Sequence, residues 1–211
     1  MAVPEDTSDP YLRKWIKVPE NPLLRHPEGV GREEFRDPTT AWQVDGASWR
    51  IAIGVQFGTN GSALLYKSDD LVHWELKEIL HTVPGSGMWE CLDFFPVALR
   101  GEEGLDVSTH GDKHVLKVSL FDDKRDYYVV GTYNEVGESF TPDHPELDIS
   151  RGLQYDHGKF YASKSFYDPV KKRRINWGWS NESDTAAEDI AKGWASLQVT
   201  VTSAGLVSPF F

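Results

Sequence analysis

The sequence predicts an all-β fold that contains about three blades of a β-propeller. From residue 37 onward, short β segments alternate with turn residues, which is typical of all-β proteins. The segments group into units of about four strands and about 50 to 65 residues, which is the size of a propeller blade. Few helical patterns compete, and only residues 185–192 are expected to form a short helix of one or two turns.

Residues 1–36 are rich in proline and charge, and residues 15–18 are the only strand predicted there. The first unit follows, with strands predicted at residues 40–44, 49–57, 62–67 and 74–79. The dipeptides Asp45-Gly46 and Asn60-Gly61 are expected to form hairpin turns between these strands.

The second and third units have the same organisation. Strands are predicted at residues 91–99, 113–120, 127–133, weakly at 139–140, and then at 159–167 and 174–179. The turn of the last hairpin is placed at Asp168-Pro169. The innermost strand of each blade lines the central channel of a propeller. We therefore expect Asp37 and Glu90, at matching positions in two units, to face one funnel.

Composition excludes several classes of function. A net charge of −11 and a pI near 5.0 argue against nucleic acid or an anionic membrane as a partner. No apolar run approaches the ~20 residues that span a bilayer. One cysteine excludes an internal disulfide, and seven histidines lie scattered without metal-ligand spacing. Neither a metal nor another cofactor is expected.

The aromatic content leaves two interpretations open. Eight tryptophans could stack on sugar faces, but aromatic rings also fill β-cores. Asn60 and Asn181 each begin an N-glycosylation sequon, which indicates a secretory route. Residues 1–4 lead directly into a charged, proline-rich segment, so no signal peptide is expected within this sequence.

Glu90 is the first catalytic candidate. It lies with Asp93 in an aromatic run over residues 88–96, although an alternating strand would send these two acids to opposite faces. A carboxylate among aromatic rings loses hydration, which favours the protonated form that a general acid needs. The alternative is a Glu at the core edge that pairs with a nearby Arg.

Asp37 is the second candidate, in the turn Arg36-Asp37-Pro38 directly before a strand. Pro38 fixes its own backbone and biases Asp37 towards an extended conformation, so the acid is expected to be held rigidly with Arg36 beside it. The alternative is an ordinary Asp-Pro turn.

These motifs resemble those of glycoside hydrolase family 32, especially the plant acid invertases and fructan exohydrolases. The family's Arg-Asp-Pro motif matches residues 35–38, and its Glu-Cys motif matches residues 89–94. Residues 161–166 and 177–183 match further blade sequences. The resemblance runs from about residue 2 to about residue 198.

The resemblance implies a five-bladed propeller followed by a β-sandwich, and retaining hydrolysis of β-fructofuranosyl bonds in fructan or sucrose. Glu90 would be the acid/base, and Asp37 would stabilise the transition state, with a nucleophile roughly 5 Å from the acid/base. The family also implies a cell-wall, extracellular or vacuolar location. Further residues expected at the substrate are Arg36, Trp42, Trp89, Asp93, Phe121 and Lys124. Asp93 is also a candidate for tuning Glu90.

The chain departs from the family in two places. It lacks the Asn-Asp-Pro-Asn motif that carries the nucleophile, so we expect negligible hydrolysis by this chain alone. Residues 199–211 also depart from the pattern. We therefore expect a partial propeller domain at 1–198 and an unrelated tail at 199–211, without the fifth blade and the β-sandwich. Open strand edges would then be available for association.

One position bears on the substrate. Family invertases hold the glucose part of sucrose with an Asp and a Lys three residues later, where this chain has Phe121 and Lys124. A Phe cannot accept a hydrogen bond from a sugar hydroxyl, which favours fructan over sucrose. The alternatives are that Asp122 takes the position through a bulge, or that the chain is a non-catalytic sugar-binding or regulatory remnant. A propeller without sugar specificity is a third alternative.

Overall fold

The computed structural model describes residues 1–44, 46–98, 113–171 and 173–203. Its strands are β1 Ala2–Pro4, β2 Trp15–Lys17, β3 Phe35–Arg36, β4 Trp42–Val44, β5 Ser48–Phe57, β6 Asn60–Ser68, β7 Glu75–Val83, β8 Trp89–Val97, β9 Lys113–Leu120, β10 Arg125–Asn134, β11 Ser139–Pro142, β12 Leu153–Gln154, β13 Phe160–Asp168, β14 Arg173–Ser180 and β15 Leu197–Ser203. One helix, α1 (Ala186–Lys192), and 3₁₀ turns at Arg32–Glu34 and Pro145–Leu147 complete the regular structure of these residues.

Strands β3 to β15 form three consecutive antiparallel sheets, which we call blades I, II and III. Blade I has the order β3-β5-β6-β7 with β4 also on β5, and blade II has the order β8-β9-β10-β11 with β12 on β10. Blade III is β13-β14-β15. Strand β8 contacts both β5 and β13, so blade II lies between blades I and III. The predicted all-β fold of propeller blades is confirmed, and β1 and β2 pair in a further sheet that the sequence analysis missed in part.

The turn predicted at Asn60-Gly61 is wrong. Phe57 pairs directly with Asn60, and the hairpin turn is therefore Gly58-Thr59, with positive φ at Gly58. Gly61 instead lies inside β6, where a Cβ would overlap the indole of Trp89. Glycine is needed here for close packing between blades, not for a turn.

The predicted turn at Asp168-Pro169 and the predicted helix are confirmed. Asp168 pairs with Arg173 across a turn that includes Pro169, as predicted. Asp45 and Leu99 lie outside the described residues. The predicted helix forms, because Thr185 and Glu188 make a capping box and Gly193 ends the helix with a φ of 78°. Strand β15 continues past Gln198 to Ser203, and the rest of the predicted tail, residues 204–211, lies outside the described residues.

Blades I and II pack through an apolar core. Its centre is the fully buried Trp89, whose indole N–H donates to Ser86 Oγ (2.8 Å). Around it lie Ala52, Ala63, Leu65, Leu80, Val83, Leu92, Phe94, Leu116, Val118, Leu120, Tyr127, Val129, Tyr133, Phe140 and Ile149. An ion pair between Arg50 and Glu138 and hydrogen bonds between His81 Nε2 and the Asp148 carboxylate cross the same junction.

Blades II and III pack through polar side chains at one end of the junction. Lys117 and Asp126 are both fully buried and lie 3.3 Å apart. Ser119 and Ser163 complete their hydrogen bonds. A buried charge destabilises a fold unless it is paired, so a functional role for the Lys117–Asp126 pair is considered below.

The outer face of blade I is covered by the N-terminal segment. Leu24 and Val30 pack with Phe35 of β3 on Ile53, Tyr66 and their neighbours in β5 and β6. In the part of the chain that the structure describes, no helix has the length and apolarity needed to cross a membrane.

Candidate active site

The inner strands of blades II and III carry the same bulge. In β8, Glu90 pairs with Ser119 and Asp93 with Lys117, so three steps on one strand oppose two on the other. In β13, Tyr161 pairs with Trp179 and Lys164 with Trp177, which repeats that spacing. We call residues 90–93 bulge II and residues 161–164 bulge III.

Blade I has an equivalent irregularity over residues 36–39, which we call bulge I. Arg36 pairs with Gly54, and the Thr39 N–H donates to the Ala52 carbonyl (2.9 Å). The second residue of every bulge has positive φ, 57° at Asp37, 48° at Cys91 and 54° at Ala162. Positive φ is uncommon for residues other than glycine and clusters at functional sites.

The first residues of the three bulges meet at one point. Arg36 Nη1 donates to Glu90 Oε1 (2.8 Å), and the Tyr161 hydroxyl donates to Glu90 Oε2. The Glu90 side chain is only 13% exposed, and both of its oxygens have a donor. The environment predicted for Glu90 is therefore corrected, because its direct partners are an Arg and a phenol hydroxyl. The pairing with a nearby Arg is what the structure has.

Asp37 lies beside this group. Its Oδ2 accepts a hydrogen bond from the Cys91 N–H (3.1 Å), and the Cys91 thiol lies 3.7 Å from the same oxygen. The two candidate acids, 53 positions apart in sequence, are thus joined through adjacent residues, and a funnel that both acids face stays a prediction. The extended backbone predicted for Asp37 is wrong, since Pro38 disfavours the right-handed helical region but Asp tolerates the left-handed one.

Burial sets the protonation of two neighbours. It raises the pKa of the Cys91 thiol to about 11, so this thiol is protonated at neutral pH and is no nucleophile. Burial, and then the hydrogen bond to Glu90, raises the pKa of Tyr161 far above the usual value for a phenol. Tyr161 therefore remains a hydrogen-bond donor.

Phe121 and Lys124 form the rim of the site. Phe121 is half-exposed, and the Lys124 ammonium lies 3.5 Å from the centre of its ring. Lys124 also lies 5.4 Å from the ring centre of Tyr161, and the Arg36 guanidinium lies 6.0 Å from that of Phe121. Contacts of this kind are favourable cation–π interactions.

The acids that follow Phe121 have other partners. The carboxylate of Asp122 lies against Gly87, and Asp123 accepts from the Tyr127 hydroxyl (2.8 Å). The alternative that Asp122 takes the position of the missing Asp by a one-residue shift stays a prediction.

Two predicted substrate contacts are corrected. Trp89 is fully buried in the core between blades I and II, so a sugar cannot reach its ring. Asp93 is 3% exposed, and its Oδ2 accepts from both the N–H (2.6 Å) and the hydroxyl (2.7 Å) of Ser165. Its carboxylate fastens blade II to blade III.

Trp42 lies apart from the acids. Its ring packs 5.3 Å from Phe94, and it lines a cavity of about 470 Å³ between the inner strands. Neither Asp37 nor Glu90 lines that cavity. A contact between Trp42 and substrate stays a prediction.

The sequon residues lie on the surface or near it. Asn60 is exposed and its Oδ1 accepts from the Gly85 N–H (3.1 Å), whereas Asn181 is half-buried. Glycosylation at either stays a prediction. Among the described residues, no cluster of His, Cys, Asp or Glu has the geometry of a metal site.

Tyr161 is the site residue that sequence reasoning missed. A signal existed, because Arg36, Glu90 and Tyr161 each stand at the start of the inner strand of successive units. The bulges, which turn these three side chains towards one another, could not be predicted from the pattern of apolar residues.

Residues 1–206 match the model of the glycosyl hydrolases family 32 N-terminal domain. The chain belongs to this family. Family 32 hydrolases are glycosidases, and their N-terminal domain is a five-bladed β-propeller, to which the three blades correspond.

Curated relatives in family 32 include plant acid β-fructofuranosidases. The chain is 50% identical over 201 residues to the vacuolar acid β-fructofuranosidase 2 of a Rosa hybrid cultivar. It is 53% identical over 201 residues to the acid β-fructofuranosidase of Vigna radiata. Each alignment covers 94% of this chain and 31% of the relative, so the chain spans about a third of the relatives' length.

Solved structures of the family agree. Fructan 1-exohydrolase IIa from Cichorium intybus, in a variant bound to 1-kestose, superposes with a TM-score of 0.86 at 45% identity, over 94% of this chain and 38% of that one. A β-fructofuranosidase from Bombyx mori, at 23% identity and a TM-score of 0.67, shares the fold.

Proposed function

We propose that this chain carries the acid/base and the transition-state stabiliser of a glycosidase that removes terminal β-fructofuranosyl groups. Glu90 would protonate the leaving oxygen and later activate water. Asp37 would bind hydroxyls of the fructosyl ring and stabilise positive charge in the transition state. The observation that supports this most is the hydrogen-bonded group Arg36–Glu90–Tyr161 with Asp37 attached to it through the Cys91 amide.

The proposed reaction is a double displacement with retention of configuration. In the first step a carboxylate nucleophile attacks the fructosyl carbon while Glu90 donates its proton to the departing oxygen. In the second step the fructosyl-enzyme is hydrolysed by a water molecule that Glu90 deprotonates. This chain lacks the Asn-Asp-Pro-Asn motif, so we propose that the nucleophile comes from outside residues 1–211. The chain alone would then bind fructosides with negligible turnover.

Fructan is the substrate favoured by the rim of the site. Phe121 presents an apolar ring where an Asp would accept hydrogen bonds from glucose, and the nearby Asp123 accepts a hydrogen bond from Tyr127. A related solved structure is a fructan 1-exohydrolase bound to 1-kestose. The second candidate is an invertase that cleaves sucrose. It is favoured by the higher identity to acid β-fructofuranosidases, 50% and 53%, than to the exohydrolase at 45%.

The location follows from the same relatives. One is named vacuolar, and another, 50% identical to this chain, is the insoluble isoenzyme 1 of the β-fructofuranosidase of Daucus carota. We propose a vacuolar or extracellular location for the protein.

A chimera tests the catalytic roles. Residues 1–198 replace the matching segment of the Rosa relative, which supplies the remainder of the enzyme, and fructose release from 1-kestose and sucrose is measured. Glu90→Gln should lower kcat by at least the 10²- to 10⁴-fold that general acid–base catalysis contributes. Glu78→Gln, which changes a Glu of β7 outside the site, is the matched control. Full activity in the Glu90→Gln chimera would refute the proposal.

The isolated chain gives a second test. Titration with 1-kestose should show binding that Asp37→Ala abolishes, with no fructose released. Robust hydrolysis by the isolated chain would contradict the proposed need for an outside nucleophile. Binding that survives both Asp37→Ala and Glu90→Gln would instead indicate a sugar-binding remnant with a different site.

A further inference from the structure

Two lysines connect the three bulges in series. Lys164 Nζ donates to the carbonyl of Pro38 in bulge I (3.2 Å) and to that of Leu92 in bulge II (2.5 Å). Lys117 Nζ donates to the carbonyl of Cys91 in bulge II (3.2 Å) and to that of Ser163 in bulge III. Each ammonium thus joins the backbones of two neighbouring blades at the residues that bear the site.

Lys117 is held in place from within the fold. It is fully buried, pairs with Asp126 (3.3 Å), and donates to Ser119 Oγ (2.8 Å). Asp126 itself accepts from the Ser163 N–H (3.1 Å), which is the second tie between blade II and bulge III. A lysine side chain with fixed partners on every side cannot move without breaking them.

The carbonyls that receive these bonds come from a distorted backbone. Cys91 has left-handed φ, and Leu92 and Ser163 follow left-handed residues, so their carbonyls leave the regular ladder of the sheet. A buried carbonyl outside a ladder needs another donor. Lysine offers three donors and can therefore serve two blades at once.

We propose that Lys117 and Lys164 are positioning residues that fix the three bulges relative to one another, and so set the Arg36–Glu90–Tyr161 contacts. The inference deepens the proposed function, on which its meaning for catalysis rests. Lys164 sets bulge I against bulge II, where the Cys91 amide meets Asp37. Lys117, with Asp126, sets bulge II against bulge III, where Tyr161 meets Glu90.

The first experiment uses amide hydrogen exchange in the whole chain, followed by NMR. The Cys91 N–H bonds to Asp37 across bulges I and II and is therefore the reporter. Lys164→Met removes an ion pair with the buried Asp93 (3.5 Å), but 39% of the Lys164 side chain is exposed and Asp93 keeps both hydrogen bonds from Ser165, so the variant should fold. In this variant the Cys91 amide should exchange at least 10-fold faster. Lys113→Met, which removes a lysine bonded to Thr132 and Asp143 within one blade, should leave that rate unchanged.

The second experiment follows the Tyr161 hydroxyl. With [¹³Cζ]tyrosine the chain has eight signals, and Tyr161→Phe identifies the one required. The double variant Lys117→Met/Asp126→Leu removes both buried charges, so no lone charge remains to unfold the protein. The Tyr161 signal should move at least halfway to its position in Glu90→Gln, while that of Tyr66 in blade I stays.

The outcomes separate the two proposals, because neither readout involves sugar. An unmoved Tyr161 signal in a folded double variant would overturn the role of Lys117. An unchanged Cys91 exchange rate in Lys164→Met would overturn that of Lys164. If the double variant does not fold, the exchange rate of the Ser163 amide in the wild-type chain tests the role of Lys117. A rate within 10-fold of that of an unstructured peptide would show that bulge III is not fixed and would overturn this role.

Discussion

At the scale of single residues, the site depends on how Glu90 is shared between two donors. Arg36 and Tyr161 hold one oxygen each, so the carboxyl group has a fixed direction before any substrate arrives. A fixed direction lowers the activation free energy, because a group that is already oriented loses little entropy in the transition state. The contact with Tyr161 was not predicted from the sequence, although residues 161–166 match a blade sequence of the family.

Replacing the Tyr161 hydroxyl tests this point. In the chimera, Tyr161→Phe should lower kcat for 1-kestose by about 10- to 100-fold, because a hydrogen bond to a charged group contributes ~1.5–3 kcal/mol. KM should change little, since the hydroxyl contacts Glu90. The matched control is Tyr128→Phe, whose ring packs against Tyr155 in a tilted arrangement. Equal loss in both variants would show a general effect on folding.

Substrate preference should follow Phe121. Phe121→Asp would place a carboxylate beside Lys124 and Arg36 that can accept bonds from glucose hydroxyls. A new hydrogen bond of ~1–1.5 kcal/mol should raise the ratio of kcat/KM for sucrose over 1-kestose by about 10-fold. Phe121→Leu removes the ring without adding an acceptor and should not raise that ratio. If both substitutions raise the ratio equally, the substrate preference depends on the aromatic ring of Phe121 and not on a missing hydrogen-bond acceptor.

At the scale of strands, alternation and turn residues predicted where most strands lie but not how they deviate. The strand β9 has its predicted bounds, and β8 begins two residues earlier than expected, at Trp89. Each bulge inserts a single residue, and one residue reverses the alternation of faces. Glu90 and Asp93 therefore share one face of blade II, although strict alternation would separate them.

Gly61 shows the same limit in another form. An Asn-Gly pair between two β segments is a strong turn signal, yet here the glycine serves a contact between blades that no local pattern reveals. Only the position of Trp89, 28 residues later, explains it. Local chemistry predicts turns well, and long-range packing decides between a turn and a close approach.

Gly61→Ala should therefore lower the free energy of unfolding by ~1–3 kcal/mol, the usual effect of overpacking. The added methyl would overlap Trp89 Nε1 and the Gly87 carbonyl. Denaturant unfolding followed by tryptophan fluorescence measures the change. Gly158→Ala is the matched control, because that methyl meets only the end of the flexible Asp156 side chain. A loss below the control's would mean that Asn60-Gly61 acts as a turn.

At the scale of the whole molecule, the three blades differ in what joins them. Blades I and II share an apolar core with aromatic side chains, and blades II and III meet through buried ions and serines next to the site. An apolar junction gains stability from burial. A buried polar junction gains little stability but fixes one arrangement, which suits the side that orients Glu90 and Tyr161.

The stability of the whole fold should depend on pH through one half-buried histidine. His114 stacks on Phe94 with 5.0 Å between ring centres, and burial lowers its pKa to about 4. In the unfolded chain the same ring has a pKa near 6.5. Between those values the unfolded chain binds a proton that the folded chain does not. Stability contributed by neutral His114 is thus complete above about pH 6.5 and is lost as the pH falls towards 4.

His114→Phe keeps an aromatic ring against Phe94 and removes the titration. Because one pKa unit corresponds to ~1.4 kcal/mol and the ring is only partly buried, wild type should lose about 1–2 kcal/mol more than the variant between about pH 7 and about pH 4.5. Urea unfolding at both pH values measures this difference. The exposed His26→Phe should lose as much as wild type. If His114→Phe also loses as much, the histidine ring is protonated inside the fold, and the stacked aromatic junction of blade II must admit water at acidic pH.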